Sequence, residues 1–151
     1  MKRIIFAVLL FAGIAGKAAN HYGEIPSEKV LKAFKETFTY AEKVVWHDYE
    51  NKYQADFWQN SINVRAKYDE DGNLLETTRY YFEKDLPPNI LGKLKKKYSD
   101  KDIFGVTEIT SDNDLSYYIS LKDDINWYTV KSDAFGNLQL QEKYKRAEPR
   151  D

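Results

Sequence analysis

Val30, Leu31, Phe34 and Phe38, behind Pro26-Ser27, and Ile90, Leu91, Leu94 and Tyr98, behind Pro87-Pro88-Asn89, write one apolar pattern twice, sixty residues apart. The spacing i, i+1, i+4, i+8 lays each set along a single stripe of an α-helix. Ser27 and Asn89 fall where an N-cap side chain accepts from the first free backbone N–H groups. Downstream, Lys67, Asp69, Gly72, Asn73 and Leu74 match Lys131, Asp133, Gly136, Asn137 and Leu138, now sixty-four positions apart, and Tyr80 matches Tyr144. Four extra residues therefore lie between helix and turn in the second half. Such periodicity predicts a supersecondary unit used twice, each copy covering apolar surface of the other.

Working outward, each helical stripe is followed by short segments that alternate apolar and polar side chains. Tyr53, Ala55 and Phe57 alternate with Gln54 and Asp56, and Ile62, Val64 and Ala66 with Asn63, Arg65 and Lys67. That is the period of strands with one dry and one wet face. Asp71-Gly72 is a tight-turn signal, because the turn needs a residue that accepts positive φ. The reading is helix 27–39 and strands opening at Val44 and closing at Phe82. A second helix then runs to Tyr98, with strands over 103–110, 115–122, 125–131 and 138–144. The longer hairpin of the second half is expected at Asp123-Asp124 and Trp127. The expected class is α+β: a tandem repeat over residues 19–85 and 86–147, each unit a helix packed on a four-stranded antiparallel sheet, with a tail at 148–151.

Residues 1–18 read as a secretory signal: Lys2-Arg3, an apolar run from Ile4 to Ile14, then Gly16 and Ala18 at the small-residue positions before a cleavage site. The run is too short to stay as a membrane anchor. The mature chain would start near Ala19 in the periplasm or outside the cell. Its 20 basic and 24 acidic residues leave a net charge near −4. A nucleic-acid partner would need a basic stripe instead. The one basic run, Lys93 and Lys95-Lys96-Lys97, is the wet face of the second helix. There is no cysteine, which excludes a disulfide framework and a thiol nucleophile.

The catalytic inventory is thin. His21 and His47 are the only histidines, without partners at metal-ligand spacing. No Gly-x-Ser-x-Gly elbow exposes a serine. The reading is therefore not an enzyme, with no cofactor. Carboxylates gather at Asp69, Glu70 and Asp71 and at Asp112, Asp114, Asp123 and Asp124, all in turns that favour Asp for local hydrogen bonds. Asp69, Asp71 and Asn73 beside Gly72 also offer the hard oxygens of a weak calcium site, and a calcium-responsive envelope protein is the alternative function. An EF-hand would place Glu where Tyr80 stands.

Aromatic residues are in surplus: 12 Tyr, 8 Phe and 3 Trp. Trp58, Tyr81, Tyr117, Tyr118, Trp127 and Tyr128 are the candidates for a binding face. In Tyr117-Tyr118 and Trp127-Tyr128 the two side chains must leave opposite faces of a sheet. Exposed Tyr and Trp anchor protein partners; equally, cross-strand aromatic pairs stabilise a sheet. The first reading makes the chain a binding module for an unidentified protein or peptide.

Phe38-Thr39-Tyr40-Ala41-Glu42-Lys43-Val44-Val45-Trp46, with Tyr53-Gln54-Ala55-Asp56-Phe57 and Asp69-Glu70-Asp71-Gly72-Asn73, resembles the PepSY-like, β-lactamase-inhibitor-protein-like family of small exported Bacteroidetes proteins. That family's signature is Phe-Pro-x-Ala-x-x-Val-x-Trp, and Thr39 replaces its proline. In the second half Tyr98 stands for the Phe, Lys101 for the Ala and Val106 for the Trp. The resemblance implies two helix-on-sheet units with their sheets side by side, and a concave surface that grips an enzyme. This chain departs from the inhibitor in lacking disulfides and recognisable target-contacting loop residues, so β-lactamase inhibition does not follow.

Overall fold

The computed structural model describes residues 25–112 and 114–146. The expected signal sequence at 1–18, the expected start near Ala19, His21 and the tail at 148–151 lie outside them. Helix α1 (Glu28–Thr37) and strands β1 (Glu42–Tyr49), β2 (Lys52–Gln59), β3 (Ile62–Asp69) and β4 (Leu74–Tyr81) form the first half. After a 3-10 turn at Glu83–Asp85 come α2 (Pro88–Lys97), β5 (Asp102–Ser111), β6 (Asp114–Lys122), β7 (Asn126–Asp133) and β8 (Leu138–Lys145).

The eight strands make one antiparallel sheet in the order β1 to β8. This corrects the expectation of two four-stranded units, each with its own helix. β4 and β5 pair from Glu76 opposite Ser111 to Tyr81 opposite Val106, so no boundary interrupts the ladder. The two short helices cover a chain that is mostly strand. The physical reason is the edge. A four-stranded sheet ending at β4 would leave a row of unpaired N–H and C=O groups, and β5 satisfies them. One continuous core follows, with Val30 and Phe34 of α1, Ile90 and Leu94 of α2, and Ala55, Val64, Ile119 and Val130 of the sheet in a single cluster.

Each stripe buries as its spacing requires. Ser27 caps α1, its hydroxyl accepting weakly from the Val30 N–H at 3.4 Å. Asn89 does not cap α2. Pro87 takes the N-cap position and Pro88 the first helical one, where proline supplies the helical φ and has no N–H to satisfy, and the Asn89 amide donates instead to the Ala134 carbonyl. Beneath α1, Phe34 meets Trp46 and Phe57 edge-on at 5.1 Å each, and Phe38 meets Phe57 at 4.8 Å. A fully buried ring of this size contributes about 1.5–3 kcal/mol.

The four extra residues lie in the β5–β6 hairpin, not at Asp123-Asp124. Trp46 pairs with Ala55 in β1–β2, whereas Val106 pairs with Ile119 in β5–β6. The β2–β3 and β6–β7 hairpins keep one spacing, Trp58 opposite Asn63 and Lys122 opposite Trp127. Where β4 meets β5 on the helix side, Glu108 accepts from Tyr81 Oη at 2.7 Å and from Arg79 Nη1 at 3.0 Å. Burial and the adjacent carboxylate push the Tyr81 hydroxyl far above its ordinary pKa.

Candidate functional site: the helix-free face of the sheet

Side chains alternate across the sheet, so register assigns every strand residue to the helix side or to the opposite, helix-free face. One row on the helix-free face runs Trp58, Asn63, Tyr80, Thr107, Tyr118, Lys131 across β2 to β7. At the row's first half an open groove of about 520 Å3 is lined by Trp58, Asn63, Tyr80, Phe82, Phe104 and Gly105. Trp58, Tyr80, Phe82 and Phe104 are all exposed.

The groove follows from a local break in the pleat. The β5–β6 register shifts between Ile103 and Gly105, a β-bulge that re-aims the side chain at Phe104. Phe104 then meets Trp127 edge-on at 4.7 Å. Gly105 forms the floor: a Cβ there would touch nothing within 4 Å, so the glycine leaves depth that a side chain would fill. Phe104 stands on the face only because of the bulge. A glycine inside a strand pattern is the sequence sign of one, and Phe104-Gly105 carries it. Tyr80 and Phe82 have no such sign.

Cations cover several of these rings. Lys122 lies 5.5 Å from the Phe104 ring centre, Lys131 5.5 Å from Tyr118, Arg146 5.8 Å from Trp127 and Arg65 6.0 Å from Tyr80. Contacts at this distance are attractive through the ring quadrupole.

The six aromatic candidates divide by face. Trp58, Tyr118 and Trp127 lie on the helix-free face, Trp58 in the groove and Trp127 behind Phe104. Tyr81, Tyr117 and Tyr128 point to the helix side and are buried. Tyr81 and Tyr117 stand against Glu108, and burial raises the Tyr117 pKa, with the Glu108 charge adding to it. Tyr128 Oη donates to Asp123 Oδ2 at 2.6 Å.

His47 and the acidic turns serve local structure. His47 Nε2 lies 3.0 Å from Asp56 Oδ2, and Arg65 Nε donates to Asp56 Oδ1 at 2.9 Å. Asp69 Oδ1 accepts from the N–H groups of Asp71 and Asn73, and Oδ2 from the Asn73 amide at 2.8 Å. These bonds hold the Asp69 carboxyl below the usual carboxylate range. Asp71 pairs with Lys29 at 2.9 Å. Asp133 repeats the pattern with Phe135 and Asn137. Among the described residues, no three His, Cys, Asp or Glu side chains converge as metal ligands, and no helix is long and apolar enough to cross a membrane.

No protein-family model matches the chain, and no curated protein matches it in sequence. Solved structures do share its fold. A BLIP-like protein from Bacteroides fragilis superposes with a TM-score of 0.65 at 17% identity, over 85% of this chain and 92% of that one. A DUF2874 family protein from Bacteroides ovatus gives 0.64 at 19% identity, over 82% and 89%. A protein from Bacteroides eggerthii predicted to be periplasmic gives 0.62 at 16% identity, over 81% and 90%. These neighbours carry the β-lactamase-inhibitor-protein-like side of the sequence resemblance; its PepSY-like side gains no support from them. The chain has the fold of the BLIP-like and DUF2874 structures over nearly the whole of their length.

Proposed function

We propose that this protein is an exported, periplasmic binding module that holds a protein or peptide against the helix-free face of its sheet. The observation that carries the reading is the gathering of Trp58, Tyr80, Phe82 and Phe104, all exposed, around one groove floored by Gly105. Large aromatic side chains of limited flexibility, supported by the sheet beneath, are what interfaces use as anchors. The acidic charge of the mature chain directs the choice toward a polypeptide and away from nucleic acid. Fold likeness to a BLIP-like protein agrees with binding as the activity.

The test is photo-crosslinking from position 63, in the groove, in the native cell envelope, with mass spectrometry of what is captured. Trp58→Ala combined with Phe104→Ala is expected to remove the captured partner. Lys32→Ala, exposed on α1, is expected to leave it. Capture by the double variant equal to that of the wild type sinks the proposal.

A further inference from the structure

The sheet leaves a recess beside the C-terminal end of each helix, and the two recesses are not alike. The one beside α1, lined by Phe34, Phe38, Ala41, Val44 and Trp46, holds about 420 Å3. Its counterpart beside α2, lined by Leu94, Tyr98, Lys101, Ile103, Phe104 and Leu121, holds about 760 Å3. Side-chain exchange accounts for the difference. Leu94 stands where the first half has Phe34, Val106 for Trp46 and Leu121 for Phe57; of the four ring positions only Tyr98 keeps a ring, while Phe104 stands for Val44 at the rim. The rings of Phe34, Phe38, Trp46 and Phe57 fill the first recess by packing on one another. Aliphatic side chains leave that volume open in the second.

Charge changes in the same place. Lys101 replaces Ala41, Lys95 repeats Lys35, and Lys122 stands at the rim above Phe104. Lys95 pairs with Glu83, and Lys101 with Asp100 and Asp123. Lys122 has no carboxylate within ion-pair distance among the described residues, although Asp102 is opposite it in register. Leu94, Tyr98, Ile103, Phe104 and Leu121 give this recess an apolar wall beside polar residues that include Glu83 and Asp102. A ring fits that wall, and Lys122, the lysine of the lining that has no ion pair among the described residues, meets its carboxylate.

We propose that this recess binds the C-terminal aromatic residue of a peptide, the ring entering where the first half keeps rings of its own and the terminal carboxylate meeting Lys122. A chain is favoured over a free aromatic acid because Phe82 and Phe104 line both this recess and the groove of the helix-free face. Residues preceding the C-terminus cross that ridge onto the face. The inference therefore rests on the binding reading above and says which end of the partner is recognised.

Short peptides acetyl-Gly-Ser-Gly-Ser-X with X as Phe, Tyr or Trp, each as free acid and as amide, test it by calorimetry on the purified protein. The free acids are expected to bind at least about tenfold tighter than the amides. Lys122→Ala is expected to erase that ratio, and Leu121→Phe, which restores the ring of the first half, to abolish binding while the melting temperature holds. Equal affinity for acid and amide, binding by Leu121→Phe like that of the wild type, or no binding by any peptide overturns the proposal. Envelope crosslinking that still depends on Trp58 and Phe104 would then leave the wider binding reading standing.

Discussion

Asp123 accepts from the backbone N–H groups of Ile125 and Asn126 and from Tyr128 Oη. With Lys101 3.7 Å away, these donors hold its carboxyl far below the ordinary range, the Tyr128 hydroxyl contributing most. A carboxylate whose folded pKa is depressed adds stability above its unfolded pKa, near 4, and loses it as the pH falls through the folded value. Tyr128→Phe should therefore melt below the wild type at pH 7, and the gap should close as the pH drops below about 4. Melting curves across that range check it, and a gap independent of pH would refute the assignment. At this scale the sequence was only half legible. Asp123-Asp124 was readable as a turn, because Asp bonds its own backbone. That Tyr128 turns inward to meet it, while Trp127 turns out, depends on which face the helices cover.

Two glycine turns, alike in sequence, differ in what surrounds them. Gly72 has φ +87° and Gly136 φ +79°, so an added side chain is strained at both, by about 1–2 kcal/mol. A Cβ at Gly72 would also lie 3.0 Å from the Lys29 carbonyl oxygen, backbone of α1 that cannot give way. At Gly136 the nearest atom is Cδ of Lys93, at 3.0 Å, and a flexible side chain can move aside. Gly72→Ala is therefore expected to destabilise more than Gly136→Ala in urea titration, and the reverse order would show that helix and turn are not locked as described. The need for glycine was legible at both turns from Asp-x-x-Gly-Asn-type spacing. The closeness of α1 was not, since nothing local to residues 69–74 reports where residue 29 ends up. The helices themselves were read closely, 27–39 against the observed Glu28–Thr37, because a stripe of four apolar residues at helical spacing has one way to be buried.

At the scale of the molecule, a single sheet and a single core require the two halves to unfold together. Trp46 reports on the first half, where it packs on Phe34, and Trp127 on the second, where it packs on Phe104. Single-tryptophan variants retaining one or the other are expected to give coincident urea transitions, as a two-state domain does. Separate midpoints would mean that the β4–β5 ladder and the Glu108 bonds to Arg79 and Tyr81 do not couple the halves.

The sequence by itself determined the elements: two amphipathic helices, strands with one dry face, and the glycine turns that end them. Each of these is a local property, set by side-chain period and backbone freedom. Tertiary structure decided that eight strands share one sheet, since an unpaired edge at β4 is satisfied only by β5, a partner remote in sequence. It also decided which aromatic residues stay exposed. Face assignment comes from register and from the β-bulge at Phe104, where one displaced residue turns a ring toward the groove. The difference between the recesses beside the two helices likewise exists only once Leu94, Val106 and Leu121, scattered along the chain, are folded against one another.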